Sequence, residues 1–155
     1  MNTQAVLARL GIVLPDAPAP VANYAPFARS GSLLVISGQL PIAGGKLAAD
    51  HVGKIGAGVS PEAGAAAARL AAINVLAQAR AALGSLDRVS RVMRLGGFIA
   101  AAPGFTALPA VMNGASDLMA DVFGDAGRHA RTTVGVAELP LGACIEVEAM
   151  FEVLP

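Results

Sequence analysis

RHARTTVGVAELPLGACIEVEAMF, residues 128–151, is the stretch from which the fold is read. Before Leu139-Pro140, Arg131 and Thr133 alternate with Val134 and Val136. Beyond Pro140–Gly142, Ile145, Val147, Ala149, Phe151 and Val153 alternate with Cys144, Glu146, Glu148, Met150 and Glu152. A β-strand repeats every two residues, so each half has one apolar and one polar face. The pattern predicts a β-hairpin turning at Pro140–Gly142, with Arg131, Thr133, Glu146 and Glu148 together on the face opposite the core. A cation, a hydroxyl and carboxylates on one sheet face suffice for a small polar site. A simple hairpin register sets Arg131 nearer Met150 than Glu146, so a close Arg131–Glu146 pair needs a bulge or a second subunit.

Upstream, Thr3–Leu10 reads as a short helix, and the proline-rich run Pro15–Pro20 as a linker. Tyr24–Arg29 is expected as a first strand and Ser30-Gly31-Ser32 as a turn. Leu33–Ser37 is a nearly continuous apolar strand of the kind buried on both faces. Gly44 to Gly58 is expected as a long loop whose glycine spacing does not suit phosphate binding. Ser60-Pro61-Glu62 is a helix start: a capping hydroxyl, proline at the first helical position, and an acid in the first turn. That helix should run to Leu83 and stop at Gly84, with Leu70, Ile73, Leu76, Ala77 and Leu83 against a sheet. Val89–Ile99 is the next strand, its Gly96-Gly97 marking a bulge or a close backbone contact. Ala100–Pro109 is a loop and Ala110–Phe123 a second long helix. The order β-β-α-β-α-β-β implies an α+β fold, two helices on one face of a mixed sheet.

The 155 residues fit one domain, 1–155, with 1–20 as a helical and proline-rich lead-in. An apolar content of 55 % argues against disorder and suggests burial between subunits. Arg69, Asn74, Gln78 and Arg80 interrupt the alanine-rich 63–83 stretch, so it is not a membrane span. Cys144 is the only cysteine, which rules out an intrachain disulfide. No signal peptide is recognised at the N-terminus, and a cytoplasmic location is expected. Net charge is zero, and Arg88, Arg91 and Arg94, beside Asp87, are the nearest approach to a basic cluster. Nucleic-acid binding needs a basic face with stacking aromatics, and neither is evident.

The Ala-Arg-Thr-Thr-Val, Leu-Pro and Ile-Glu-Val-Glu-Ala pieces resemble the C-terminal signature of the Rid family, also called YjgF/YER057c/UK114 and labelled endoribonuclease L-PSP. Tyr24 and Ser37-Gly38-Gln39-Leu40-Pro41 match two earlier family pieces in order and spacing, and the likeness spans residues 20–153. The resemblance implies a chorismate-mutase-like fold, a homotrimer with a central barrel, and sites in the clefts between subunits. It also implies hydrolysis of reactive 2-imino or enamino acids to 2-oxo acids and ammonia, without cofactor or metal. Arg131 would hold the substrate carboxylate, and Glu146 would orient water or assist proton transfer. Ala22-Asn23, His129 and Thr133 stand where the family's best-known branch often has Gly-Pro, proline and cysteine. These departures keep a second function open: non-catalytic, regulatory binding of a small carboxylate metabolite. RNA cleavage ranks last for want of a basic surface.

Each site residue also has a plain structural reading. Arg131 could simply pair with a strand glutamate, and Glu146, Glu148 and Glu152 could form a solvated face. Tyr24 could wall the cleft or merely pack. Gly38 could offer backbone contacts or only a turn, and Phe105 could cover a ligand or anchor its loop. Thr133, two residues after Arg131, falls on the same face and joins the substrate-binding set. His129 borders the cleft, either as a proton carrier or as a satisfied strand-end histidine. Cys144 is read as a packing residue. Neither histidine has a second ligand at metal spacing.

Overall fold

Ser60, Pro61 and Glu62 open a 23-residue helix, Pro61–Leu83, as their order predicts. The Ser60 hydroxyl accepts from the Ala63 N–H at 3.1 Å, and Gly84, at φ +80°, returns its N–H to the Arg80 carbonyl at 2.8 Å. Both ends therefore satisfy backbone groups that a helix terminus leaves unpaired. The computed structural model describes residues 2–20 and 22–155; Met1 and Val21, inside the expected 1–155 domain, lie outside the described residues. In chain order the elements are α1 (Thr3–Arg9), β1 (Phe27–Ser30), β2 (Leu33–Gln39), β3 (Ile42–Ala43), β4 (Lys46–Leu47), α2 (Pro61–Leu83), β5 (Val89–Ala100), α3 (Leu108–Phe123), β6 (Ala130–Val136) and β7 (Ile145–Val153).

Five strands form a mixed sheet in the order β1-β2-β7-β5-β6, with α2 and α3 on one face. The β5–β6 pair is parallel; the other pairs are antiparallel. The expected β6–β7 hairpin does not form, because β5 lies between the two strands. Helix α3 carries the chain from β5 to β6 as a crossover, which makes those two parallel neighbours. The chain then turns through Pro140–Gly142 and crosses the end of β5, where the Ala100 N–H donates to the Cys144 carbonyl at 3.0 Å. Alternation locates both strands, but it encodes a face and not a neighbour.

In β7, Ile145, Val147, Ala149, Phe151 and Val153 are buried while Glu146, Glu148 and Met150 are half-buried. In β2, Leu34 and Ile36 are buried but Leu33 is 41 % exposed, so this strand is buried on one face rather than both. Gly96 and Gly97 mark close contacts, not the bulges, which fall earlier in β5. A β-carbon on Gly97 would meet the Met112 sulfur of α3 at 2.5 Å. The expected 44–58 loop contains part of the small β3–β4 pair.

Alanines, not leucines, bring α2 onto the sheet: Ala67, Ala68, Ala71, Ala72 and Ala79 are fully buried around Val75 and Leu76. Leu70 and Ile73, expected against the sheet, are half-buried in a groove under the lead-in. The lead-in itself is packed rather than a free linker. Gln78 donates to the Pro18 carbonyl at 2.7 Å, and Arg80 to those of Leu14 and Pro15 at 3.3 and 2.9 Å. At its start, the Thr3 N–H and hydroxyl both donate to Asp87, and those bonds hold that carboxyl below its ordinary pKa.

Helices α2 and α3 touch main chain to main chain at Gly114, where an added β-carbon would overlap the Ala65 carbonyl oxygen. Gly114→Ala gains roughly 1 kcal/mol of helix propensity but forces the helices apart, an overpacking cost of about 1–3 kcal/mol. A backbone carbonyl cannot rotate away as a side chain can, so the net effect should be destabilising. Urea unfolding should show a lower midpoint, and an unchanged or higher midpoint would contradict the packing described.

Candidate functional site

The sheet register decides which polar side chains can meet. Across β5–β6, Arg131 lies opposite Leu95 and Thr133 opposite Gly97. Leu95 is fully buried beneath the helices, so Arg131 and Thr133 point to the helix-covered face. Across β5–β7, Glu146 lies opposite Phe98 and Glu148 opposite Gly96, which places both carboxylates on the uncovered face. The predicted single polar face of Arg131, Thr133, Glu146 and Glu148 is therefore split in two. The cause is the missing hairpin: β6 aligns on β5 rather than on β7, and that register sets its odd-numbered residues toward α3.

The helix-side half is built on Arg131. Its Nη1 donates to Asn113 Oδ1 at 2.8 Å and to Ser116 Oγ at 3.0 Å, and its Nη2 to the Pro109 carbonyl at 3.3 Å. All three acceptors are neutral and belong to α3. Among the described residues no carboxylate pairs with Arg131, so the plain ion-pair reading does not hold; the strand arginine that does pair is Arg94, 3.0 Å from Glu148. A guanidinium has five N–H groups. Three are engaged, leaving Nε–H and one Nη2–H, the number a carboxylate takes in a bidentate pair. One pleat along β6, the Thr133 hydroxyl oxygen is buried without a hydrogen-bond partner.

The other half is built on Glu146. The β2–β7 register shifts between Ile36 and Gln39, and the residues in that irregularity are Ser37 and Gly38. A β-carbon on Gly38 would fall on the Glu146 carboxylate, so only glycine lets the acid lie against β2. Burial, and secondarily the nearby charge of Glu148, raise the Glu146 pKa above its ordinary value. Ser37 fixes the preceding loop, its hydroxyl donating to the Ala25 carbonyl at 2.7 Å. Tyr24, 49 % exposed, joins Gly38, Gln39, Leu40, Pro18 and Leu141 around a mainly apolar cavity of about 190 Å³. Leu141 holds a left-handed conformation (φ +59°) at its rim.

Phe105 is half-buried against Gly56, whose β-carbon position it fills, and so anchors its loop. Cys144 lies in the hydrophobic core, not on the Glu146 face, and burial pushes its thiol up to about 11. Both ring nitrogens of His129 are bonded, Nε2 to Ser116 Oγ at 2.9 Å and Nδ1 to the Gly127 carbonyl at 2.6 Å. Asn113 and Ser116 were not anticipated. Their signal was a polar pair three residues apart on α3, beside its buried Met112 and Ala115.

The chain belongs to the YjgF/chorismate-mutase-like family. That family, described as "YjgF/chorismate_mutase-like, putative endoribonuclease", matches residues 4–153. Protein TCP17 of Trypanosoma cruzi is 50 % identical over 149 residues, 94 % of this chain and 91 % of its own. A solved protein of unknown function from Agrobacterium tumefaciens is 46 % identical with a TM-score of 0.91, over 98 % of this chain and 92 % of its own. A Shewanella oneidensis structure with the same endoribonuclease description is 35 % identical with a TM-score of 0.95, over 99 % of this chain and 100 % of its own. Among the described residues no helix is long and apolar enough to cross a membrane.

The raised pKa of Glu146 has a definite sign in stability. The folded chain holds that proton more tightly than the unfolded chain, so ionised Glu146 costs stability above the folded pKa. The cost fades as pH falls through that pKa toward the ordinary range near about 4.3. Glu146→Gln should therefore raise the thermal midpoint at neutral pH and lose the advantage near about pH 4. A variant less stable than the parent at neutral pH would contradict the burial assigned to this carboxyl.

Proposed function

We propose that the protein hydrolyses small 2-imino or enamino acids to 2-oxo acids and ammonia, in clefts between the subunits of a homotrimer in which the uncovered sheet faces form a central barrel. The observation that carries this reading is Arg131: a half-buried guanidinium held only by neutral acceptors, with Nε–H and one Nη2–H unengaged. A carboxylate supplies both the missing charge and a two-point acceptor. Thr133, two residues along β6 on the same face, belongs to the same half of the site.

Glu146 stands on the other face of its own sheet, so one cleft with both groups takes Arg131 and Thr133 from one subunit and Glu146 and Gly38 from the next. Tyr24 and the apolar cavity beside Gly38 receive the rest of the substrate, and Phe105 holds the loop nearby. In the reaction, water attacks the imine carbon and its proton passes to Glu146. The carboxyl returns that proton to the nitrogen; ammonia leaves as the hydroxyl gives its own proton to Glu146 and closes the carbonyl, and the departing ammonia takes that last proton away as ammonium. Burial that raises the Glu146 pKa above its ordinary value favours a carboxyl that takes up and returns a proton. A protonated imine is already electrophilic, so positioning and charge supply much of the acceleration. The domain is the whole 1–155 unit, its lead-in walling the cavity, and the setting is cytoplasmic.

RNA cleavage is less well supported. Of the three clustered arginines, Arg88 donates to the Leu83, Leu154 and Pro155 carbonyls and Arg94 pairs with Glu148, so two are engaged internally.

The test is ammonia release from imino acids generated in situ by an amino-acid oxidase. Arg131→Ala should lower kcat/KM by about a hundredfold or more, as loss of a desolvated carboxylate contact does. Thr133→Val should fold at least as well as the parent, since the hydroxyl it removes is unpaired, yet turn over more slowly. Full turnover by Arg131→Ala would refute the hydrolase assignment. Tight 2-oxo acid binding with no turnover of any imine by the parent would favour the metabolite-binding function instead.

A further inference from the structure

We infer that Ser116 and His129 are positioning residues for Arg131, linked to it by a one-way chain of hydrogen bonds that aims its unengaged N–H groups. The inference rests on the carboxylate-holding reading of Arg131. Each link has a direction fixed by chemistry. The Gly127 carbonyl can only accept, so His129 Nδ1, 2.6 Å away, carries the proton. In the neutral ring Nε2 is then the acceptor. Arg131 can only donate, so Ser116 Oγ accepts from its Nη1 at 3.0 Å. The serine's own proton is thereby free for His129 Nε2 at 2.9 Å. The chain runs Arg131 to Ser116 to His129 to Gly127, with every hydroxyl and ring nitrogen satisfied.

The anchor at the far end is rigid. A β-carbon on Gly127 would overlap the Met119 carbonyl oxygen, so the turn closing α3 is seated directly on the helix backbone. Asn113, three residues before Ser116, takes the other Nη1 proton at 2.8 Å from the same helix face. Two side chains of α3 thus fix the Nη1 end of a long, flexible arginine, and His129 keeps one of them from rotating. Without His129, the Ser116 hydroxyl has no partner fixing its rotor, and its oxygen is no longer held toward Nη1.

The test pairs binding of pyruvate, a stable 2-oxo acid, with imine-hydrolysis kinetics on the intact protein. Ser116→Ala and His129→Leu should each weaken pyruvate binding and raise KM about tenfold, the usual worth of a hydrogen bond to a charged group, with kcat little moved. The double variant should be no worse than either single, because both break the same chain. Two amides then separate positioning from packing. His129→Gln can still offer an oxygen to Ser116 and should bind nearly as the parent does. His129→Asn reaches only Gly127 and should resemble His129→Leu. Equal pyruvate affinity of the Gln and Asn variants, or parental affinity in Ser116→Ala, would overturn the inference while leaving Arg131 in place. Parental affinity in Arg131→Met would instead overturn the carboxylate reading beneath it.

Discussion

A strand can give each side chain to only one face of its sheet, and in this protein that constraint acts through β7. Set between β2 and β5, it must bury every second residue under α2 and α3. Ile145, Val147, Ala149, Phe151 and Val153 meet that demand. Its carboxylates are thereby committed to the uncovered face. Strand β6, at the sheet edge and parallel to β5, commits Arg131 and Thr133 to the other. A small ligand cannot reach through a sheet, so within one chain the arginine and the carboxylates form two separate half-sites rather than one.

Small residues stand at the tight contacts: Ala68 and Ala72 are fully buried on α2, Gly114 meets the Ala65 carbonyl at the helix crossing, Gly97 faces the Met112 side chain, and Gly38 lies beneath the Glu146 side chain. The same economy that packs the helices makes room for the acid. Chemistry and packing are not separate layers here, because the glycine that admits the carboxylate also marks the irregularity that shifts the β2 register.

Much of this was legible in the sequence, for local reasons. Ser60, Pro61 and Gly84 mark the ends of α2 because caps and left-handed turns are written in single residues. The strands at 89–100, 130–136 and 145–153 show in their apolar character or alternation. Partnership was not legible. Nothing in residues 128–151 announces that a strand about forty positions upstream, beginning at Val89, separates the two halves, and so alternation alone sets Arg131 on the wrong face. The grip of Asn113 and Ser116 on Arg131 depends on that same long-range register. Strands β3 and β4, two residues each, are too short to carry a period at all.

Polar side chains in this molecule repeatedly hold main-chain carbonyls rather than one another. Gln78 and Arg80 do so to the lead-in, and Asn74 does so to Leu40 and Ile42. A carbonyl oxygen is the same whatever residue bears it. The gripping residues are therefore hard to replace, while the segments they grip are free to drift. One such segment, Pro18–Pro20, walls the cavity beside Tyr24. Because the bonds that hold it fall on main-chain atoms, its side chains can change without disturbing those bonds, and the outline of the cavity is separable from the scaffold that carries it.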